Sequence, residues 1–137
     1  MTIDRALAED IRAIASLKGE FTLRSGQISS HYFDKCRFES DPALLQRIAV
    51  RMIPLISHDT EILAGLELGG VPIATAISLA SGLPLAFIRK RAKEYGTCQA
   101  VEGRDVEGKC IVLIEDVITT GGAVADAVKL VEAAKGT

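Results

Sequence analysis

Tryptophan is absent and only 4% of the residues are aromatic, too few for a stacking platform that binds single-stranded nucleic acid. Cysteine is scarce and scattered: Cys36, Cys98 and Cys110 stand far apart, odd in number and without a CxxC. That pattern excludes a disulfide framework and a cysteine zinc site. The opening MTIDRALAEDIRAIA mixes acids and bases with apolar residues, so it is neither a secretory leader nor a membrane span. Excess charge is lacking too. Sixteen basic and eighteen acidic residues leave a net −2, with no global pull toward nucleic acid or anionic lipid. A reducing cytoplasm is the expected setting.

What is present fits one domain of 137 residues, nearly half of them apolar. Ile3, Leu7, Ile11 and Ile14 recur at helical spacing and predict a helix before Gly19. EFTLRSGQISSHYFDKC breaks into short extended pieces around turn residues, as in a small hairpin or hood. SDPALLQRIAVRMIPLIS predicts a helix capped by Asp41, with Pro42 at its first position and Pro54 shortening its end. Thereafter apolar runs alternate with helices. EILAGL, LPLAFI and KCIVLI read as buried strands; the helices between and after them run to Gly82 and Gly136. The fold class is α/β, a doubly wound parallel sheet with an N-terminal helix and hairpin hood. The hood occupies about residues 1–40 and the core about 41–137. The sheet is expected to be C-terminally incomplete, since Thr137 falls where another strand would follow and leaves the strand ending at Ile114 as an edge.

In such a sheet ligands sit beyond the carboxyl ends of the strands. Three loops occupy that edge: residues 67–71, 89–105 and 117–122. In the last, Thr119, Thr120, Gly121 and Gly122 lead into a helix, whose free N–H groups and dipole favour an anion. The Walker pattern GxxxxGK[ST] and the dinucleotide pattern GxGxxG are both absent. Glu115 and Asp116 immediately upstream would repel a bare polyphosphate; they suit sugar hydroxyls or positive charge developing on a ribose ring.

EDVITTGG after an apolar strand resembles the donor-binding signature of the type I phosphoribosyltransferases. With FTLRSG near the N-terminus and RKRAKEYGT in the middle, the chain is most similar to the orotate phosphoribosyltransferase family. The resemblance implies that Glu115 and Asp116 hold the ribose hydroxyls. Thr119, Thr120, Gly121, Gly122 and Ala123 would hold the 5′-phosphate, Ala123 standing where the family often has Ser or Thr, and Val117 and Ile118 just before them would also border the substrate. Gly69 and Gly70 of LELGG would approach pyrophosphate. Arg89, Lys90 and Lys93 would be the cations of a mobile catalytic loop, and together with Asp116 they would be the catalytic residues. Tyr95 stands where the family commonly has histidine. Arg24, in place of the usual lysine, would touch orotate or pyrophosphate, and Tyr32 and Phe33 would lie against the pyrimidine. His31 and His58 read as ordinary polar residues.

The resemblance further implies phosphoribosyl pyrophosphate and orotate as substrates, Mg2+ carried mainly by the substrate pyrophosphate with no protein metal site, and a homodimer sharing its mobile loops. Nucleic acid and membrane are not expected as partners. Two alternatives stay open: a non-catalytic donor-binding regulatory module, and a phosphoribosyltransferase for another base.

Overall fold

The computed structural model describes residues 3–137. Asp4 caps the first helix, α1 (Arg5–Ala15), by accepting from the Leu7 N–H at 3.0 Å. The helix stops four residues short of Gly19, because Ser16 already belongs to β1 (Ser16–Thr22). Ile3 lies outside it and is exposed. β1 pairs antiparallel with β2 (Ile28–Phe33), with a register shift between Lys18 and Phe21. The hood is therefore a helix and a hairpin, as predicted. The five-residue helix α2 (Lys35–Glu39), which no apolar period announces, joins it to the core.

α3 (Pro42–Met52) starts as predicted, with Asp41 Oδ1 accepting from the Leu44 N–H at 2.9 Å. Pro54 ends it in a short 3-10 turn, Ile53–Leu55. The three predicted core strands are β3 (Ile62–Leu66), β4 (Leu85–Ile88) and β6 (Ile111–Ile114). α4 (Gly70–Ser81) follows β3 and α5 (Gly122–Ala133) follows β6.

The sheet differs from the prediction by one strand. β5 (Val101–Gly103) pairs antiparallel with β4, giving the order β5-β4-β3-β6. The predicted parallel sheet is present, with β3 parallel to both β4 and β6, and β5 adds an unpredicted antiparallel edge. Among the described residues no strand lies beyond β6, so it is an edge as predicted. At its outer side Thr137 accepts from the Ile111 N–H at 2.6 Å and donates to the Lys109 carbonyl at 2.9 Å. α5 also ends earlier than predicted: Lys135, with φ of 63°, breaks the helix before Gly136.

β3 is buried along its whole length because helices cover both faces. Leu63 packs with α1, α3 and α4 through Leu7, Ile48 and Ile77, while Ile62, Ala64 and Leu66 meet Ala127 and Val131 of α5. Full burial of Leu63 and Ile77 contributes about 1.5–3 kcal/mol each. The chain reverses direction across the sheet between β3 and β6. Their carboxyl ends therefore flank the crevice in which ligands of open α/β sheets bind.

Candidate active site

Two loops meet at that crevice, residues 67–70 after β3 and residues 115–121 after β6. Only glycine fits between them. A Cβ on Gly70 would stand 2.2 Å from the Ile114 carbonyl oxygen, and one on Gly69 would stand 1.9 Å from Asp116 Oδ2 and 2.7 Å from Glu39 Oε1. The strand end and the start of α4 are therefore in backbone contact, and two carboxyl groups converge beneath the 67–70 loop.

The loop after β6 has the form that an anion requires. Gly121 adopts φ of 82° at the N-cap of α5, which is left without a side-chain cap. The first N–H groups of α5 thus point outward, unpaid by any side chain except a long 3.4 Å contact from the Gly122 N–H to Thr120 Oγ1. Residues 117–123 line a small hollow of about 50 Å3. A cleft of about 310 Å3 adjoins it, lined by Glu67, Arg89, Lys90, Glu115, Ala123 and Asp126 among others. Two larger hollows of about 600 Å3 lie elsewhere, one behind β5 and one between α3 and α4.

The chain matches the phosphoribosyl transferase domain family over residues 40–137. An orotate phosphoribosyltransferase of Nocardioides sp. is 58% identical over 134 residues, spanning 98% of this chain and 75% of the relative. The chain belongs to the orotate phosphoribosyltransferase family. Solved structures agree. The Mycobacterium tuberculosis orotate phosphoribosyltransferase with Fe(III) dicitrate superposes with a TM-score of 0.84 at 34% identity, over 96% of this chain and 77% of that one. The same enzyme in complex with phosphoribosyl pyrophosphate gives 0.80 at 30% identity, over 96% and 75%.

Within the family's site, the structure brings some of the expected residues together and holds others away. Glu115, Arg89, Lys90 and Ala123 line the cleft, and residues 117–123 form the adjoining hollow. Asp116 departs from expectation. Its side chain is 1% exposed, turned from the crevice toward Lys35, whose Nζ lies 2.6 Å from Oδ2. Its Oδ1 accepts from the Val117 N–H at 2.8 Å and so shapes the entry to the 117–123 loop. In this conformation Asp116 braces the loop and does not face a sugar.

The reason lies in its partners. Glu39, at the end of α2, is 6% exposed. Burial and the neighbouring Asp116 push its carboxyl up to about 8. Burial alone would raise Asp116 too, but hydrogen bonds from Glu39 and Lys35 outweigh it and hold that group well below the usual carboxylate range. Lys35 is raised in turn by its bond to Asp116. Glu115 is raised by burial and by the neighbouring Asp116 carboxyl, which outweigh the Asp116 N–H it accepts at 3.1 Å.

The basic loop also departs from expectation. Arg89 and Lys93 bind one carboxylate, Glu102 of β5: Arg89 through Nε, Lys93 at 2.6 Å. The Lys93 and Arg89 bonds hold Glu102 down at about 2. Lys93 also lies 5.6 Å over the Tyr95 ring. Lys90 is the one left exposed beside the cleft, its backbone N–H donating to Glu67 Oε1. The pairing follows from β5, which lays Glu102 across from Phe87, next to the start of the loop.

Arg24 lies exposed between β1 and β2. Tyr32 stacks on Phe21 with ring centroids 5.4 Å apart, and Phe33 meets Phe38 at 6.2 Å. Both Tyr32 and Phe33 remain nearly half exposed. Sequence reasoning missed Lys35, Glu39, Glu67 and Glu102. No local spacing marks them, since each acts on partners nine or more residues away that only the fold brings near.

Proposed function

We propose that the chain transfers the 5-phosphoribosyl group of phosphoribosyl pyrophosphate to orotate, giving orotidine 5′-monophosphate and pyrophosphate for pyrimidine synthesis. The observation that carries this is the uncapped start of α5 behind Thr119–Gly121, opening beside a cleft that holds Glu115 on one side and Lys90 on the other. The hollow suits a 5′-phosphate, held by backbone N–H groups and threonine hydroxyls. Glu115 suits the ribose, and Lys90 suits the pyrophosphate. The loop over Arg89–Lys93 moves in to bring its other cations to the leaving group.

In this mechanism the bond from C1 to the pyrophosphate oxygen breaks first, and its electron pair leaves with the pyrophosphate. Arg89, Lys90 and Lys93 stabilise the charge gathering there, and Glu115 the positive charge on the ring. A ring nitrogen of orotate, held against Tyr32 and Phe33 with Arg24 near its charge, bonds to C1 from the opposite face and gives up its proton. No side chain forms a covalent bond, so positioning and electrostatics carry the rate.

Among the described residues no three His, Cys, Asp or Glu side chains cluster closely enough to hold a metal. Magnesium enters this reading with the donor, on the family resemblance alone, and would neutralise the pyrophosphate. A homodimer is supported by the apolar hollow between α3 and α4, where Leu68 is 70% and Leu79 85% exposed. The cytoplasm is the proposed setting; among the described residues no helix is long and apolar enough to cross a membrane. The direct test is orotate-dependent release of pyrophosphate from phosphoribosyl pyrophosphate with magnesium. Turnover with orotate supports the reading, turnover only with a purine moves it to another base, and binding of the donor without turnover leaves a regulatory module.

A further inference from the structure

One buried oxygen beneath the two loops, Glu39 Oε1, has no hydrogen-bond partner, and beside it Asp116 Oδ2 has only the Lys35 ammonium, at 2.6 Å. Unpaired polar atoms in the interior are costly, and each calls for a physical account. Both oxygens lie within 2.7 Å of the position a Gly69 Cβ would take, so they face the same small space. Both are acceptors if both groups are ionised, and two buried carboxylates so placed repel. One proton removes the difficulty. Carried by Glu39, it makes a donor of one group for the other and leaves a single negative charge for Lys35.

We propose that Glu39 is a positioning residue for the donor site: as a neutral acid it bonds Asp116 and, with Lys35, fixes how the 67–70 and 115–121 loops approach each other. The inference rests on the proposed donor site, which it deepens. Three segments meet at the clamp. Glu39 and Lys35 come from α2, the turn of helix directly after Phe33. Gly69 comes from the loop after β3. Asp116 comes from the loop after β6, and its Oδ1 holds the Val117 N–H at the entrance to the phosphate hollow. A shift of the carboxyl pair moves that entrance and the floor under Gly69 together. Glu39 touches no substrate in this arrangement; it acts through Asp116.

The test compares Glu39→Gln, Glu39→Ala and Lys35→Met in the full chain, by calorimetric binding of phosphoribosyl pyrophosphate and by kcat and KM for both substrates. Gln keeps a neutral donor in the same place, so its donor Kd stays within about threefold of wild type. Ala and Met weaken donor binding by about tenfold or more while the KM for orotate changes less than about twofold. A residue that merely supports the fold would lower the melting temperature and leave the donor Kd of folded protein unchanged; that result overturns the proposal. Equal losses in Glu39→Gln and Glu39→Ala overturn it too, because a neutral donor would then not be the requirement. Lys35 is 44% exposed at its side chain, so Lys35→Met keeps the test decisive if Glu39→Ala does not fold, and wild-type donor affinity in it overturns the clamp. A wild-type chain that binds the donor without turning over orotate refutes the proposed activity and still reads out Glu39. A wild-type chain that binds no donor refutes both.

Discussion

Gly70→Ala isolates the contact that holds the two donor loops together. The added carbon would lie 2.2 Å from the Ile114 carbonyl oxygen, where such a carbon and oxygen settle at roughly 3.3 Å or more. The first turn of α4 must then retreat by about 1 Å, or β6 must. Neither has slack. A Cβ on Gly65 would already sit 2.9 Å from the Gly70 carbonyl, and Ile73 and Ala74 are buried just behind. Overpacking against backbone in so tight a place costs about 3 kcal/mol, the upper part of the usual range. For a domain of this size that lowers Tm by on the order of 10 °C. Urea and thermal unfolding measure it, with Gly122→Ala as the comparison. There the new carbon meets only Thr120 Oγ1 at 3.6 Å, so stability holds or rises by a few tenths of a kcal/mol, ~0.5. A Gly70→Ala protein that melts within about 2 °C of wild type would refute the argument that these loops are locked by backbone contact.

Three other outcomes follow from the same geometry. Lys93→Ala lowers kcat by about 100-fold while the donor Kd changes far less; equal losses in both would reduce Lys93 to ground-state binding. Glu102→Gln weakens the hold on Arg89 and Lys93, so limited trypsin digestion between residues 89 and 93 proceeds several-fold faster, and an unchanged cleavage rate would mean the pairings do not restrain the loop. Glu39 titrates near 8 in the fold against an ordinary 4.5, so the folded chain holds a proton that the unfolded chain releases. Its contribution is fully present below pH 4.5 and is lost as pH rises through 8. Denaturation midpoints measured from pH 5 to pH 8.5 therefore decline in wild type and flatten in Glu39→Gln; parallel profiles would place the proton elsewhere.

The apolar runs at 61–66, 83–88 and 109–114 identified the core strands because burial on both faces removes alternation and leaves a contiguous signal. Val101–Gly103 carries no such signal. It is short, contains Glu102, and becomes a strand only because β4 offers an open edge. The end of α1 was misplaced for a related reason: Ser16–Glu20 is polar enough to continue an amphipathic helix, and its pairing with β2 decides otherwise. The turn into α5 was legible because its signal is local, two glycines ahead of a helical apolar pattern; the positive φ of Gly121 is seen only in the structure. The direction of Asp116 was not legible. It depends on Lys35 and Glu39, some 80 residues earlier, and the sequence alone gives the acid but not its partners.

The basic loop is tied at its base. β4 and β5 pair on either side of it, the Arg89 N–H donates to the Ala100 carbonyl at 2.8 Å, and the Lys93 N–H reaches Gln99 at 3.3 Å. A free segment of that length would surrender about 1–2 kcal/mol per residue on closing over a substrate. Here most of that disorder has already been given up in forming the hairpin. On the proposed mechanism, closure over a substrate would exchange Glu102 for the leaving group at Arg89 and Lys93, from a root that β4 and β5 already hold.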